Sequence, residues 1–351
     1  MTSGMTYRGP ARTAPHRTRS ANLAWPVVVI GAAALVASWL LKDTPRSAAA
    51  PPANSAVAGI GWPAGGVSAA EAAGGGLLPG PGANRPVPIA SVAKVMTAYV
   101  VLHDHPLSAG GSGPPVFVEP SEAAAYPAQL RAGESVVPVQ AGEVLSEREA
   151  LEALLLPSAD NVAWILARWD AGSLGAFVDR MNAVARQLGM TSTHYTDPSG
   201  LAASTTSSAA DQVRLGIAAM GQRALAEIAG QSRATIPVAG TVDNLNRLLG
   251  EDGIVGLKTG STSAAGGCVL LAARSDGGDR QSLIVVAVLG QPGSPGTIVS
   301  AALQAGHQLL IGIERTRQPE KAGSSTVTGS VPNPVYARAN ASRITPRGRS
   351  V

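Results

Sequence analysis

Apolar positions along the chain change their period several times, and each change marks an element. Leu23 to Leu41 is an unbroken uncharged run. At a helical rise its 19 residues span about 28 Å, close to the hydrocarbon core of a bilayer. Trp25 and Trp39 stand near its ends, where indoles favour the interface. Residues 42–55 (KDTPRSAAAPPANS) read as a linker. A strand pair is expected around Val57–Trp62 and in the Gly-rich stretch before Arg85. A helix follows, with Val95, Met96, Tyr99 and Val100 on its apolar face. Gly110 to Gly142 is turn-rich, with small strands at Val116–Val118 and Ser135–Val137. Ser146 and Glu149 form a capping box. The helix it opens carries Leu151, Leu154 and Leu155 and stops before Pro157. Ser158-Ala159-Asp160-Asn161 lies on the turn to a second helix, Val162–Trp169. Leu174–Leu188 keeps the helical period and ends at Gly189. Asp211–Met220 is a further helix.

Beyond it the pattern turns to strands: Gly253–Gly260, then Cys268–Ala273 and Ser282–Leu289, with a hairpin turn at Ser275–Asp279 between the last two. Thr297–Ile311 reads as a closing helix. Past Gln318 the sequence is Ser, Thr, Pro, Asn and Arg without periodicity and reads as disordered.

Charge sharpens this division. The net charge of +4 conceals two basic ends. Residues 1–22 hold Arg8, Arg12, Arg17 and Arg19 with no acid, and residues 320–351 are basic too. The middle of the chain is therefore mildly acidic, which argues against a nucleic-acid-binding core. Four arginines before the apolar run put the N-terminus in the cytoplasm and the rest outside. The run is expected to be an uncleaved signal anchor, with cleavage near Ala48-Ala49-Ala50 as the alternative. Cys268 is the single cysteine, so no intrachain disulfide forms. The five histidines have no metal-ligand spacing; His103 and His105, two apart, suit a surface strand. No metal or organic cofactor is implied.

The candidate chemistry begins at Ser91 and Lys94. Positions i and i+3 share a helix face, so the amine can reach the hydroxyl. A serine becomes nucleophilic when a base takes its proton, and a lysine is that base when burial depresses its pKa. Downstream stand Ser158-x-Asp160 and Lys258-Thr259-Gly260. In type and order these match the motifs of active-site serine penicillin-binding proteins and β-lactamases. With PIASVAKVMTAYVVL, EALLLPSADNVA, FVDRMNAVARQLGMTSTHYTDPSGL and GLKTGSTSAAGGCVLLAA, residues 56–311 resemble the low-molecular-mass serine D-alanyl-D-alanine carboxypeptidases.

The resemblance implies an α+β, β-lactamase/transpeptidase-like fold: an antiparallel sheet from the chain's beginning and end, flanked by helices, with a helical insertion. The expected domains are a cytoplasmic tail (1–22), an anchor (23–41), a linker (42–55), a catalytic domain (56–318) and a basic tail (319–351). It implies that Ser91 attacks the D-Ala-D-Ala carbonyl, Lys94 is its base and Ser158 relays a proton to the leaving amine. Lys258 helps keep Lys94 neutral and, with Thr259, holds the substrate carboxylate. Gly260 lets the strand edge approach, and the main-chain N–H groups of Ser91 and Ser261 form the oxyanion hole. The implied partners are peptidoglycan stem peptides and inhibitory β-lactams. One departure stands out: the family's middle motif is Ser-x-Asn, and here Asp160 holds the third place with Asn161 beside it. Either Asp160 weakens the base, or Asn161 takes over through a shifted turn. Arg274 is the candidate arginine for the substrate carboxylate. The competing readings are a catalytically weak muropeptide- or β-lactam-binding module and a β-lactamase.

Overall fold

The computed structural model describes residues 59–317, apart from 73–74, 109, 278–279 and 295. The expected segments 1–22, 23–41, 42–55 and 319–351 lie outside the described residues. Among the described residues, no helix is long and apolar enough to cross a membrane. The described residues begin with β1 (Val67–Ala72), β2 (Leu77–Pro79) and β3 (Val87–Pro88), then a 3₁₀ turn (Ala90–Ala93) that runs into α1 (Lys94–Asp104). Next come β4 (Pro115–Phe117), α2 (Pro120–Arg131), β5 (Val144–Ser146), α3 (Glu147–Leu155), α4 (Asp160–Ala171) and α5 (Leu174–Gln187). β6 (Thr206–Ser207), α6 (Ala209–Gly221), α7 (Arg223–Ala229), β7 (Arg233–Ile236) and β8 (Gly240–Asp243) lead to β9 (Ile254–Thr262), β10 (Gly266–Gly277), β11 (Arg280–Gln291) and α8 (Ile298–Arg317).

The main sheet has the order β2-β1-β11-β10-β9, every pair antiparallel. The two ends of the described chain thus meet in one sheet, the expected α+β arrangement. Alternation divides the apolar run of β10 between two layers. Val269, Leu271 and Ala273 pack with Leu303, Leu309, Leu310 and Ile313 of α8. Cys268, Leu270 and Ala272 join the larger core with α1, α3, α4 and α6. A strand buried on both faces reads as a continuous apolar stretch, and that made β10 and β11 easy to place. β9 is an edge strand, so one of its sides is open to a partner.

The structure corrects several expectations. Among the described residues the first strand is β1, and 59–62 form none. β1 is Ala-rich, and its place between β2 and β11 overrides weak propensity. α2 occupies part of the stretch read as turn-rich. Its Pro127 and lack of any buried residue hid it, although Glu119 and Glu122 form a capping box. Ser135–Val137 is no strand: Val137 N and O are bonded by the Asn161 side chain at 3.2 and 2.8 Å. α7 and the β7–β8 hairpin were not expected. α4 starts at Asp160, two residues early, and α8 runs on to Arg317. His103, exposed as expected, lies in the last turn of α1 rather than on a strand, and the half-buried His105 lies 3.3 Å from Asp170. The α3 capping box stands as expected: Glu149 N donates to Ser146 Oγ at 3.2 Å and Ser146 N to Glu149 Oε2 at 2.7 Å.

Candidate active site

Ser91 sits in the 3₁₀ turn ahead of α1, and Lys94 is the helix's first residue. In a 3₁₀ turn residues i and i+3 eclipse, closer than on an α-helix. Lys94 Nζ accordingly lies 2.8 Å from Ser91 Oγ. The lysine side chain is fully buried. Its other two hydrogen-bond partners are Asp160 Oδ1 at 2.6 Å and the Ser199 carbonyl at 3.2 Å. Asp160, in the first turn of α4, is fixed from behind. Its Oδ2 accepts from Ser135 N at 3.0 Å, and its own N–H donates to Ser135 O at 2.6 Å.

Two glycines let the nucleophile turn be held from both sides. A Cβ at Gly260 would stand 2.7 Å from Ser91 N, and one at Gly200 would stand 1.8 Å from Ala90 O. Neither position tolerates a side chain without the turn moving. Held between them, Ala90 has φ +46. Ser158, buried two residues before α4, has φ +68. Strained non-glycine backbone of this kind persists only where the surroundings enforce it, and it clusters at functional sites.

Burial pulls the Lys94 ammonium below the usual lysine range, and Asp160, Asp197 and Glu134 oppose that shift. Lys258, also buried, is pushed well below the usual range by burial and then by the charge on Lys94. Its Nζ donates to Thr259 O at 3.0 Å. Lys258 pairs across the sheet with Leu270, whose side chain belongs to the helical core, so Lys258 faces the layer that holds Lys94. Burial thus makes both amines easier to deprotonate, while Asp160 pulls Lys94 the other way. A neutral lysine carries two N–H bonds and one lone pair. With the two hydrogens on Asp160 Oδ1 and Ser199 O, the lone pair is left for the Ser91 hydroxyl proton.

The sequence profile of the D-alanyl-D-alanine carboxypeptidase family matches residues 63–292. The chain belongs to that family. A D-alanyl-D-alanine endopeptidase of Pseudomonas aeruginosa is 33% identical over 192 residues, 53% of this chain and 59% of that protein. The chain therefore spans under two thirds of that relative's length. A D-alanyl-D-alanine carboxypeptidase of Mycobacterium tuberculosis is 33% identical over 228 residues, 63% of this chain and 74% of that protein. Among solved structures, a D-alanyl-D-alanine carboxypeptidase from Mycobacterium tuberculosis aligns with a TM-score of 0.62 at 28% identity, over 75% of this chain and 96% of that one. The Streptomyces K15 DD-transpeptidase aligns with a TM-score of 0.63 at 22% identity, over 72% of this chain and 98% of that one, a likeness of fold.

Of the residues expected at the family's site, Ser91, Lys94 and Asp160 meet directly. Gly260 on β9 lies against the Ser91 turn, and the buried Ser158 stands two residues before Asp160. Two expectations fail. Asn161 does not take over from Asp160, because its amide is spent on Val137 N and O. Arg274 lies four residues along β10 from Leu270, the partner of Lys258, about 13 Å at strand rise. It lines a separate cavity of about 610 Å³ with Met220, Arg223, Gly250 and Val255. Burial does most of the work on Lys94 that was expected of Lys258, whose own charge Lys94 suppresses. The sequence reading missed Ser199, because what it offers is a main-chain carbonyl. Thr196–Leu201 reads as a turn in the sequence, but nothing there gave Asp197 or Thr205 a role at the site.

Proposed function

We propose that this protein is a serine D-alanyl-D-alanine carboxypeptidase that trims the terminal D-alanine from peptidoglycan stem peptides. The observation that carries this is the buried Lys94 amine, 2.8 Å from Ser91 Oγ with two other acceptors for its N–H groups. Ser91 Oγ attacks the carbonyl of the last peptide bond as Lys94 takes its proton. The oxyanion is held by the N–H groups of Ser91 and Ser261. The proton passes through Ser158 to the leaving amine, D-alanine departs, and water cleaves the acyl-enzyme. Thr259 and Lys258 receive the substrate carboxylate. An arriving carboxylate favours the ammonium form of Lys258, so binding itself charges this lysine. Gly260 keeps β9 close enough to Ser91 for both oxyanion donors to reach one oxygen.

The enzyme acts on the cell wall, outside the cytoplasm, with residues 23–41 as its single-pass membrane anchor. β-Lactams, as mimics of the substrate, acylate the same serine. Incubation with a stem pentapeptide ending in D-Ala-D-Ala tests the reading. Free D-alanine is expected from the wild type and none from Ser91→Ala. A cross-linked muropeptide included in the same assay reports endopeptidase cleavage, the activity named for the Pseudomonas relative.

One observation favours a second reading, a binding module with slow chemistry. Asp160 Oδ1 sits 2.6 Å from Lys94 Nζ and stabilises its charged, non-basic form. Tight penicillin binding without acylation or D-alanine release would select that reading.

A further inference from the structure

We infer that Asp197 is a positioning residue for the general base, acting through the Ser199 carbonyl. The inference rests on the reading of Ser91 and Lys94 given under Proposed function. Asp197 is 4% exposed, and its carboxylate gathers one turn together. It accepts from Ser199 Oγ at 2.7 Å, from Leu201 N at 2.9 Å and from the Thr205 hydroxyl. Thr205 Oγ1 in turn accepts from Thr196 N at 3.0 Å. The turn is fastened to α1 one helical turn past Lys94, where Thr97 Oγ1 donates to Pro198 O at 2.6 Å. The product of this bracing is a single carbonyl, Ser199 O, aimed at Lys94 Nζ.

That carbonyl sets the direction of the lone pair. An amine rotates freely about its Cε–Nζ bond unless its N–H groups are claimed. Once the amine is neutral, Asp160 accepts one N–H and Ser199 O the other, and the lone pair then faces Ser91 Oγ, 2.8 Å away. Without Ser199 O, an N–H can swing onto Ser91, and an amine donating to the hydroxyl cannot take its proton. Asp197 itself touches neither nucleophile nor substrate. Its loss is therefore a defect of the chemical step rather than of binding. The charged groups that face Lys94 are Asp160, Asp197, Glu134 and Lys258.

The test is stopped-flow acylation of the full chain by a fluorescent penicillin, separating noncovalent affinity from the acylation rate constant across pH. Asp197→Ala is expected to lower the rate constant about tenfold or more and to leave affinity unchanged. Asp197→Asn keeps an acceptor oxygen for the turn and loses the charge. It is expected to restore most of the rate and to move its rise with pH downward, since Asp197 favours protonated Lys94. An unchanged rate in Asp197→Ala overturns the inference, as does an Asp197→Asn profile that rises where the wild type does. If circular dichroism shows that Asp197→Ala does not fold, Thr97→Val, which frees Pro198 O from α1, takes its place, and an unchanged rate constant there overturns the inference. A wild type that takes up no label overturns the reading of Ser91 and this inference with it, a result distinct from a labelled wild type and an unmoved Asp197 series.

Discussion

A carboxylate at position 160 is the sharpest departure from the family's motif, and its effect has a definite sign. Lys94 is a base only when neutral. Asp160 favours the protonated form, by charge and by hydrogen bond, against the larger effect of burial. Asp160→Asn removes the charge, so the rise of acylation rate is expected at lower pH, with a faster rate near neutrality. A pH series of penicillin acylation checks this; an unmoved profile means Asp160 does not govern the base. At Gly260 the concern is contact. An alanine Cβ would press on Ser91 N at 2.7 Å and displace an oxyanion donor. Gly260→Ala is expected to cost about 10²–10³ in acylation rate, the size of losing one such donor, with an unchanged circular dichroism spectrum. Residues of this kind were legible because their motifs are contiguous and their chemistry is in the side chain. Ser199 was not, because it meets Lys94 through a carbonyl 105 positions along the chain.

Among the elements, α3 joins a good helix start to an uncomfortable first residue. A glutamate in the first turn ordinarily gains from the helix dipole. Glu147 is instead fully buried, and neither carboxylate oxygen finds a hydrogen-bond partner. Burial, with Asp170 adding repulsion, pushes its pKa up to about 7, against the opposing pull of Arg148. The folded value exceeds the unfolded one, so the stability linked to Glu147 is present in acid and is lost as pH rises through about 7. Glu147→Gln is expected to raise Tm by a few degrees above that pH, with the gain vanishing in acid. A constant gain across pH would place the effect elsewhere. Elements with a clear apolar period, such as α5, β10 and β11, could be read directly. α2 could not, since it buries no residue and contains a proline. Nor could β1, whose alanines become a strand only between two neighbours.

For the whole molecule, the site lies where the helical layer meets an edge strand of a sheet built from both ends of the described chain. The family resemblance implied this architecture, while the close approach of Gly200 and Gly260 to the Ser91 turn emerged only in three dimensions. The described core contains every group assigned to chemistry. A fragment of residues 56–318 is therefore expected to fold cooperatively and to bind penicillin covalently at the full-length rate. A fragment that folds yet fails to acylate would assign part of the site to the flanking segments. The most direct test of the account is to locate a labelled penicillin on the folded full-length chain by peptide mass spectrometry. One covalent adduct per chain is predicted, on Ser91, absent from Ser91→Ala. A label on any other residue, or no covalent label on correctly folded protein, would contradict it.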